Sequence, residues 1–192
     1  MNTLNFESWF NREANNENIC FLCGTDLDNS NMTKEHIFPK WILQKFDLWK
    51  APIKLLNDSY FNYRSATIPC CQNCNNNSLS KLEIEIQTGV DNGFDYFVDN
   101  VSKKSIYKWC QLIFYKILYK EQFLKKDIKS KDSKNIISKK EFDFLRLNHL
   151  FLRSIDKDIE FSNFSPGSIF YDKNGEWKNR EFDDNGTIEK TV

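Results

Sequence analysis

Two Cys-x-x-Cys pairs, Cys20/Cys23 and Cys71/Cys74, constrain this chain more than any other feature of its sequence. A two-residue gap lets one tight turn point two sulfurs at the same place, and two such turns supply the four thiolates of a closed tetrahedral zinc site. An ion held that way keeps no open position, so its role is to tie distant stretches of chain together, and any chemistry must lie beside it. Gly24 follows the first pair and suits the tight turn. Cys70 stands next to Cys71 and competes for its place, although its spacing to Cys74 fits a knuckle less well. Cys110 falls within an apolar helical pattern and is expected to be a small buried hydrophobe. A disulfide framework is the bland alternative, but a chain of 192 residues can build a core without staples, and its start does not resemble an export signal.

The 17 Phe and 5 Trp residues support a genuine core. Up to Asn18 the chain is polar apart from Leu4, Phe6, Trp9 and Phe10, and no apolar run approaches the roughly 18 residues of a membrane span. A cytoplasmic protein with no membrane partner is expected. The balance of 27 basic and 27 acidic residues hides segregation: from Lys103 to Lys140 there are twelve lysines against three acids, whereas the sequence beyond Asp156 turns acidic. Such a lysine-rich stretch can follow a phosphate backbone through counterion release, or it can be solvated surface.

Residues 3–13 suggest a short amphipathic helix, and Trp41, Ile42, Leu43 and Phe46 a brief one after Pro39. Between Ala51 and Ile68 the pattern is loop and short strand, with turn formers at Asn57, Asp58 and Ser59. Leu79, Leu82 and Ile86 recur at helical spacing, which sets Asn75 near a helix start, where backbone donors favour anions. The strongest periodic signal runs from Ser105 to about Leu124, with a proposed inner stripe of Ile106, Trp109, Cys110, Ile113, Phe114, Ile117 and Leu118. A loop over 125–135 precedes a helix opened by the capping-box pattern Ser138-Lys139-Lys140-Glu141 and ending near Arg153. The turn pairs Pro166-Gly167, Asn174-Gly175 and Asn185-Gly186 predict a small β-meander at the end.

Between the two knuckles stands Glu35-His36, and the second knuckle runs into Asn75, Asn76 and Asn77. Hydrolysis of a phosphodiester needs an activated water, a cation against the charge that builds on phosphorus, and support for the leaving oxygen. Histidine titrates near neutrality and suits the first task, while a carboxylate and an amide oxygen are hard ligands for magnesium or manganese. Glu35, His36 and Asn75 are therefore the candidate set. His149, between Leu145 and Leu152 on an apolar face, reads as a satisfied core histidine. Glu83 reads as a solvated or capping charge and not as a further metal ligand.

The order Cys-x-x-Cys, Glu35-His36-Ile37-Phe38-Pro39, Cys71-x-x-Cys74-Asn75 resembles the HNH, or ββα-metal, endonuclease family, above all its four-cysteine members of the phage endonuclease VII type. The strings Lys34-Glu35-His36-Ile37-Phe38-Pro39-Lys40-Trp41 and Cys74-Asn75-Asn76-Asn77-Ser78-Leu79-Ser80-Lys81-Leu82-Glu83 also resemble uncharacterised bacterial HNH proteins in which a Trp-bearing helix follows, as Tyr107-Lys108-Trp109 does here. The resemblance spans residues 19–83 specifically and the helix near Trp109 loosely. It implies structural zinc on Cys20, Cys23, Cys71 and Cys74, His36 as general base, and Glu35 and Asn75 as ligands of a catalytic Mg2+ or Mn2+ ion. It also implies cleavage of nucleic acid, DNA before RNA, leaving 5′-phosphate and 3′-hydroxyl ends. The chain departs from the family in carrying Glu35 where Asp is commoner, and Ala66 where a middle Asn usually orients the base. Asn62 or Asn57 are the substitutes within reach.

The expected fold is α+β: a zinc-stapled ββα-metal core over residues 1–100, then a helical extension with the β-meander over 101–192. The leading function is a metal-dependent endonuclease, with restriction or phage-defence systems as a setting that would add a partner protein, including the case of a subunit inactive until the partner releases it. The alternative from another class is a non-catalytic zinc ribbon that docks on nucleic acid or protein.

Overall fold

In the computed structural model of the chain, residues 18–153 and Ile155 are described; the expected N-terminal helix and the C-terminal β-meander lie outside them. The architecture is mixed α and β, with two small antiparallel sheets and a set of helices around one core. Strand β1 (Met32–His36) pairs with β4 (Thr67–Cys71), while β2 (Pro52–Lys54) and β3 (Tyr60–Asn62) form a separate hairpin. The stretch from Ala51 to Ile68 is thus strand and turn, with Asp58 in the left-handed region (φ 61°) at the hairpin tip.

Pro39 ends the β1 excursion. Its fixed φ suits the residue just ahead of a helix, and α1 (Lys40–Lys45) begins immediately after it. After β4 the chain makes a π-helical turn, Cys74–Leu79, that continues into α2 (Ser80–Asp91). Helix α3 (Phe94–Asn100) folds back on α2. A Cβ built at Gly89 would lie 2.4 Å from Val101 Cγ2 and 2.7 Å from Phe97 Cδ2, so only glycine permits that approach.

Helix α4 (Lys103–Glu121) starts at Ser102, whose hydroxyl caps the Ser105 amide at 3.0 Å, and is the longest helix described. Its inner side keeps part of the stripe expected from the apolar spacing: Trp109, Ile117 and Leu118 pack against the core. Leu112, Tyr115, Lys116 and Tyr119 are buried, whereas Cys110 and Phe114 face solvent. Apolar residues lie beside that stripe as well, at Leu112, Tyr115 and Tyr119, so tertiary packing and not periodicity alone selects the buried face. The expectation that Cys110 is a buried hydrophobe is corrected accordingly.

The chain then loops through the isolated bridge Lys125–Asn135 to α5 (Lys139–Phe142), a 3-10 turn, and α6 (Arg146–Arg153). The capping box forms as its sequence predicts: the Glu141 carboxylate accepts from the Ser138 amide at 2.8 Å, and the Ser138 hydroxyl from the Glu141 amide at 3.2 Å. One core joins the knuckle residues Phe21 and Leu22, Ile68 of β4, Leu79 and Leu82, the α4 face and Phe142, Leu145 and Leu152. Phe21, Tyr115, Tyr119 and Phe142 pack with ring centroids 5.4–6.4 Å apart, the spacing of tilted aromatic pairs. No helix among the described residues is long and apolar enough to cross a membrane.

Candidate metal centre and adjoining cavity

The first knuckle is a small hairpin. The Cys20 amide donates to Thr25 O at 2.9 Å, Leu27 to Asn18 O at 2.7 Å, and Gly24, at φ 72°, donates to Cys20 O at 2.9 Å to close the turn. The Phe21 amide donates to Pro69 O at 3.2 Å, which docks the knuckle on β4 beside the second pair. Appended helix α6 completes the clamp: His149 Nε2 lies 3.1 Å from both the Phe21 and Leu22 carbonyls, and Arg153 Nη1 donates to Leu22 O at 3.0 Å. Facing two carbonyls, His149 Nε2 must carry the proton. Burial first, and then the Arg153 charge, push its pKa down to about 3, so the ring is neutral. It is a core histidine, as its apolar setting suggests, with Nε2 partnered by the two carbonyls.

These contacts bring the sulfurs of Cys20, Cys23, Cys71 and Cys74 within 4.8 Å of one another. Tetrahedral zinc with Zn–S bonds of about 2.3 Å requires sulfurs about 3.8 Å apart, and Cys23 and Cys71 stand at 3.6 Å. The donor set and its spacing therefore fit a structural metal ion. The Cys74 amide points at Cys71 Sγ at 3.4 Å, a backbone donor suited to a thiolate. The sulfurs cannot all be anionic on their own: hydrogen bonds from Cys23, Cys70 and Cys74 hold the Cys20 thiol low, while the same contacts push Cys23 up to about 11 and Cys74 higher. Cys70 lies outside the four, fully buried with its sulfur 3.9 Å from that of Cys20. Its thiol is pushed up by the hydrogen bond with Cys20 and by burial, which makes it a protonated neighbour.

A cavity of about 420 Å³ adjoins this cluster, lined by Lys34, Glu35, His36, Pro39, Lys40, Trp41, Gln44, Asn75, Glu83 and Gln87. The three chemical candidates, Glu35, His36 and Asn75, thus share one wall system. Strand β1 supplies Glu35 opposite Ile68 and His36 opposite Thr67; the π-turn supplies Asn75. Such turns recur at functional sites because they re-aim side chains off the helical register.

His36 is half-buried, its ring stacked on Trp49 with centroids 5.7 Å apart and 29° between planes. Burial, then the Lys40 charge, lower its pKa, and the Glu35 charge, followed by the Arg64 main chain, works the other way. The contact that orients the ring is the stack on Trp49. Ala66, where the resemblance leads one to expect a middle Asn, is buried and accepts the Ile37 amide at 2.8 Å through its own carbonyl. Asn57 is spent on its own turn and on Lys125 O at 2.7 Å, and Asn62 ends β3; neither lines the cavity.

Asn75 Nδ2 donates to Thr33 Oγ1 at 3.0 Å, and the Thr33 hydroxyl donates to Cys70 O at 2.9 Å. With its donor so used, the amide offers its carbonyl oxygen as the atom with ligand capacity. Glu35 is buried and paired with Lys116, whose ammonium also donates to His36 O at 2.9 Å and stands 3.8 Å from Glu83 Oε1. Glu83 is not the solvated charge expected of it. It sits in the first turn of α2 but lines the cavity, and its Oε1 is shielded from solvent without a hydrogen-bond partner. Burial raises its pKa to about 7, partly offset by Lys116 and reinforced by Glu35.

Sequence reasoning missed Lys116, Thr33 and Trp49. Lys116 had a signal: it is the one lysine between apolar neighbours at Tyr115, Ile117, Leu112 and Tyr119. Comparison with protein-family models, with curated proteins and with solved structures finds no match.

Proposed function

We propose that the protein is a metal-dependent endonuclease of the HNH type, hydrolysing phosphodiester bonds of nucleic acid, DNA before RNA, with His36 as general base. The observation that carries this reading is the convergence of His36, Glu35 and Asn75 on one cavity beside a four-sulfur cluster. The β1–β4 pair followed by the π-turn and α2 supports the ββα-metal description of that region.

His36 is lowered in pKa and so neutral at physiological pH, the state needed to take a proton from water. The water oxygen bonds to phosphorus, the bond to the leaving 3′ oxygen breaks, and that oxygen takes its proton from solvent. Trp49, stacked on the ring, holds it in place for this transfer. Exposed Lys34 and Lys40 at the cavity favour entry of a phosphate, and the lysine-rich stretch from Lys103 to Lys140 supplies backbone contacts without reading sequence. The oxygens of Asn75, Glu35 and Glu83 are the hard donors that suit Mg2+ or Mn2+, which when bound would neutralise charge on the phosphate and the leaving oxygen. The four cysteines would hold zinc apart from the reaction.

The test is incubation with supercoiled plasmid and with single-stranded RNA. Nicked plasmid is expected with Mg2+ or Mn2+, none after chelation of those ions with zinc retained, and strong loss in Asn75→Ala. Cleavage indifferent to added ion and to Asn75 would reject the assignment. One observation favours a second reading, a non-catalytic zinc ribbon: Glu35 is already paired with Lys116. That reading predicts nucleic-acid or protein binding insensitive to His36 and Asn75, and lost when the lysines over 103–140 are neutralised.

A further inference from the structure

Resting on the hydrolase reading, we infer that Lys116 is a resident cation of the site, and that a divalent ion binds there in competition with it. Lys116 is completely buried on α4, yet its ammonium reaches across the core to β1. Its three oxygen neighbours are a Glu35 carboxylate oxygen, the His36 carbonyl at 2.9 Å and Glu83 Oε1 at 3.8 Å. Carboxylate and carbonyl oxygens converging on one point are the ligand set of a hard metal cation, here arranged around a nitrogen. Glu83 Oε1, shielded and without a hydrogen-bond partner, has that ammonium as its ion-pair partner.

The charge count gives the consequence. With both carboxylates ionised, the pair and one ammonium leave a single negative charge, against two were Lys116 neutral. An ion entering the cavity meets both a weaker anionic site and a like charge a few ångströms away in a water-poor setting. Lys116 acts through Glu35 and Glu83, which makes it a positioning residue: it holds Glu35 in place in the metal-free protein and keeps divalent affinity low. Glu83, whose link to the ammonium is longer, is the carboxylate more readily released to an incoming ion.

The experiment is a Mn2+ titration of the full zinc-loaded chain, read by the electron paramagnetic resonance of free Mn2+, with no nucleic acid present. Lys116→Met is expected to bind Mn2+ about tenfold tighter or more, since a like charge near the ion is removed; unchanged or weaker binding in a folded variant overturns the inference. Because an unpaired Glu35 can compromise folding, the same titration compares Glu35→Gln with the double variant Glu35→Gln/Lys116→Met. These two differ only in the ammonium, and the double variant is expected to bind Mn2+ more tightly; equal affinity overturns the inference, as does absence of Mn2+ binding in all these proteins at millimolar ion. Plasmid cleavage by His36→Ala tests the hydrolase reading separately and leaves this ratio of Mn2+ affinities untouched.

Discussion

The protein buries two polar clusters side by side and balances their charge in opposite ways. The four sulfurs of Cys20, Cys23, Cys71 and Cys74 bring only potential negative charge to one point, so they need a cation from outside. Glu35 and Glu83 meet Lys116, a cation from the chain itself. The first cluster is thus suited to a structural metal ion, whereas the second forms around a cation of the chain's own. The sulfur cluster is held by backbone turns from both sides, while Glu35 at the cavity wall is held by a side chain from a helix 81 residues further along.

The contrast can be broken most violently at the sulfurs. Cys74→Ser should lose zinc and cooperative folding together, because structural zinc contributes on the order of 10–16 kcal/mol in small domains; zinc stoichiometry alongside a thermal melt reads this, and a native melt without zinc would contradict it. At the second cluster Lys116→Ala should cost about 3–5 kcal/mol, the penalty of stranding a buried carboxylate, with zinc retained. Urea denaturation measures it, and the double variant Glu35→Gln/Lys116→Met should recover most of the loss. A cost below about 1 kcal/mol for Lys116→Ala would mean that the pair is not the buried one described.

His149 connects the two halves of that comparison, since it clamps the first knuckle from α6. The unfolded chain takes up a proton at this ring near pH 6.5, the folded chain only near 3. Its contribution to stability is thus complete above pH 6.5 and is lost as pH falls through that window. His149→Gln should cost about 1–3 kcal/mol at neutral pH through the stranded Phe21 carbonyl, and should flatten the acid limb of the stability profile. An unchanged slope between pH 6.5 and 4 would remove His149 from the clamp. The smallest effect belongs to Cys110→Ser: an exposed helix position outside the cluster should shift stability by less than about 0.5 kcal/mol and leave zinc content unchanged.

What could be read from the residues in advance follows the same division. The knuckles, the turn at Gly24, the place of Asn75 just past the second pair and the Ser138–Glu141 box all depend on spacings of a few residues, which local backbone geometry determines. The cavity does not. Lys116 reads as surface in a sequence because lysine usually is, and its burial follows from which face of the helix the core selects. Glu83 reads as solvated for the same reason. The support for His36 is the ring of Trp49, which no residue spacing announces.

The most direct test of the account is plasmid nicking by His36→Ala beside the wild type, both assayed in Mg2+ or Mn2+ and both shown to carry the same zinc content and the same melting temperature. The account predicts that the variant loses cleavage by a factor of about 100 or more, the contribution of a positioned general base, while zinc and fold persist. Cleavage at the wild-type rate by a folded, zinc-loaded His36→Ala protein would contradict it.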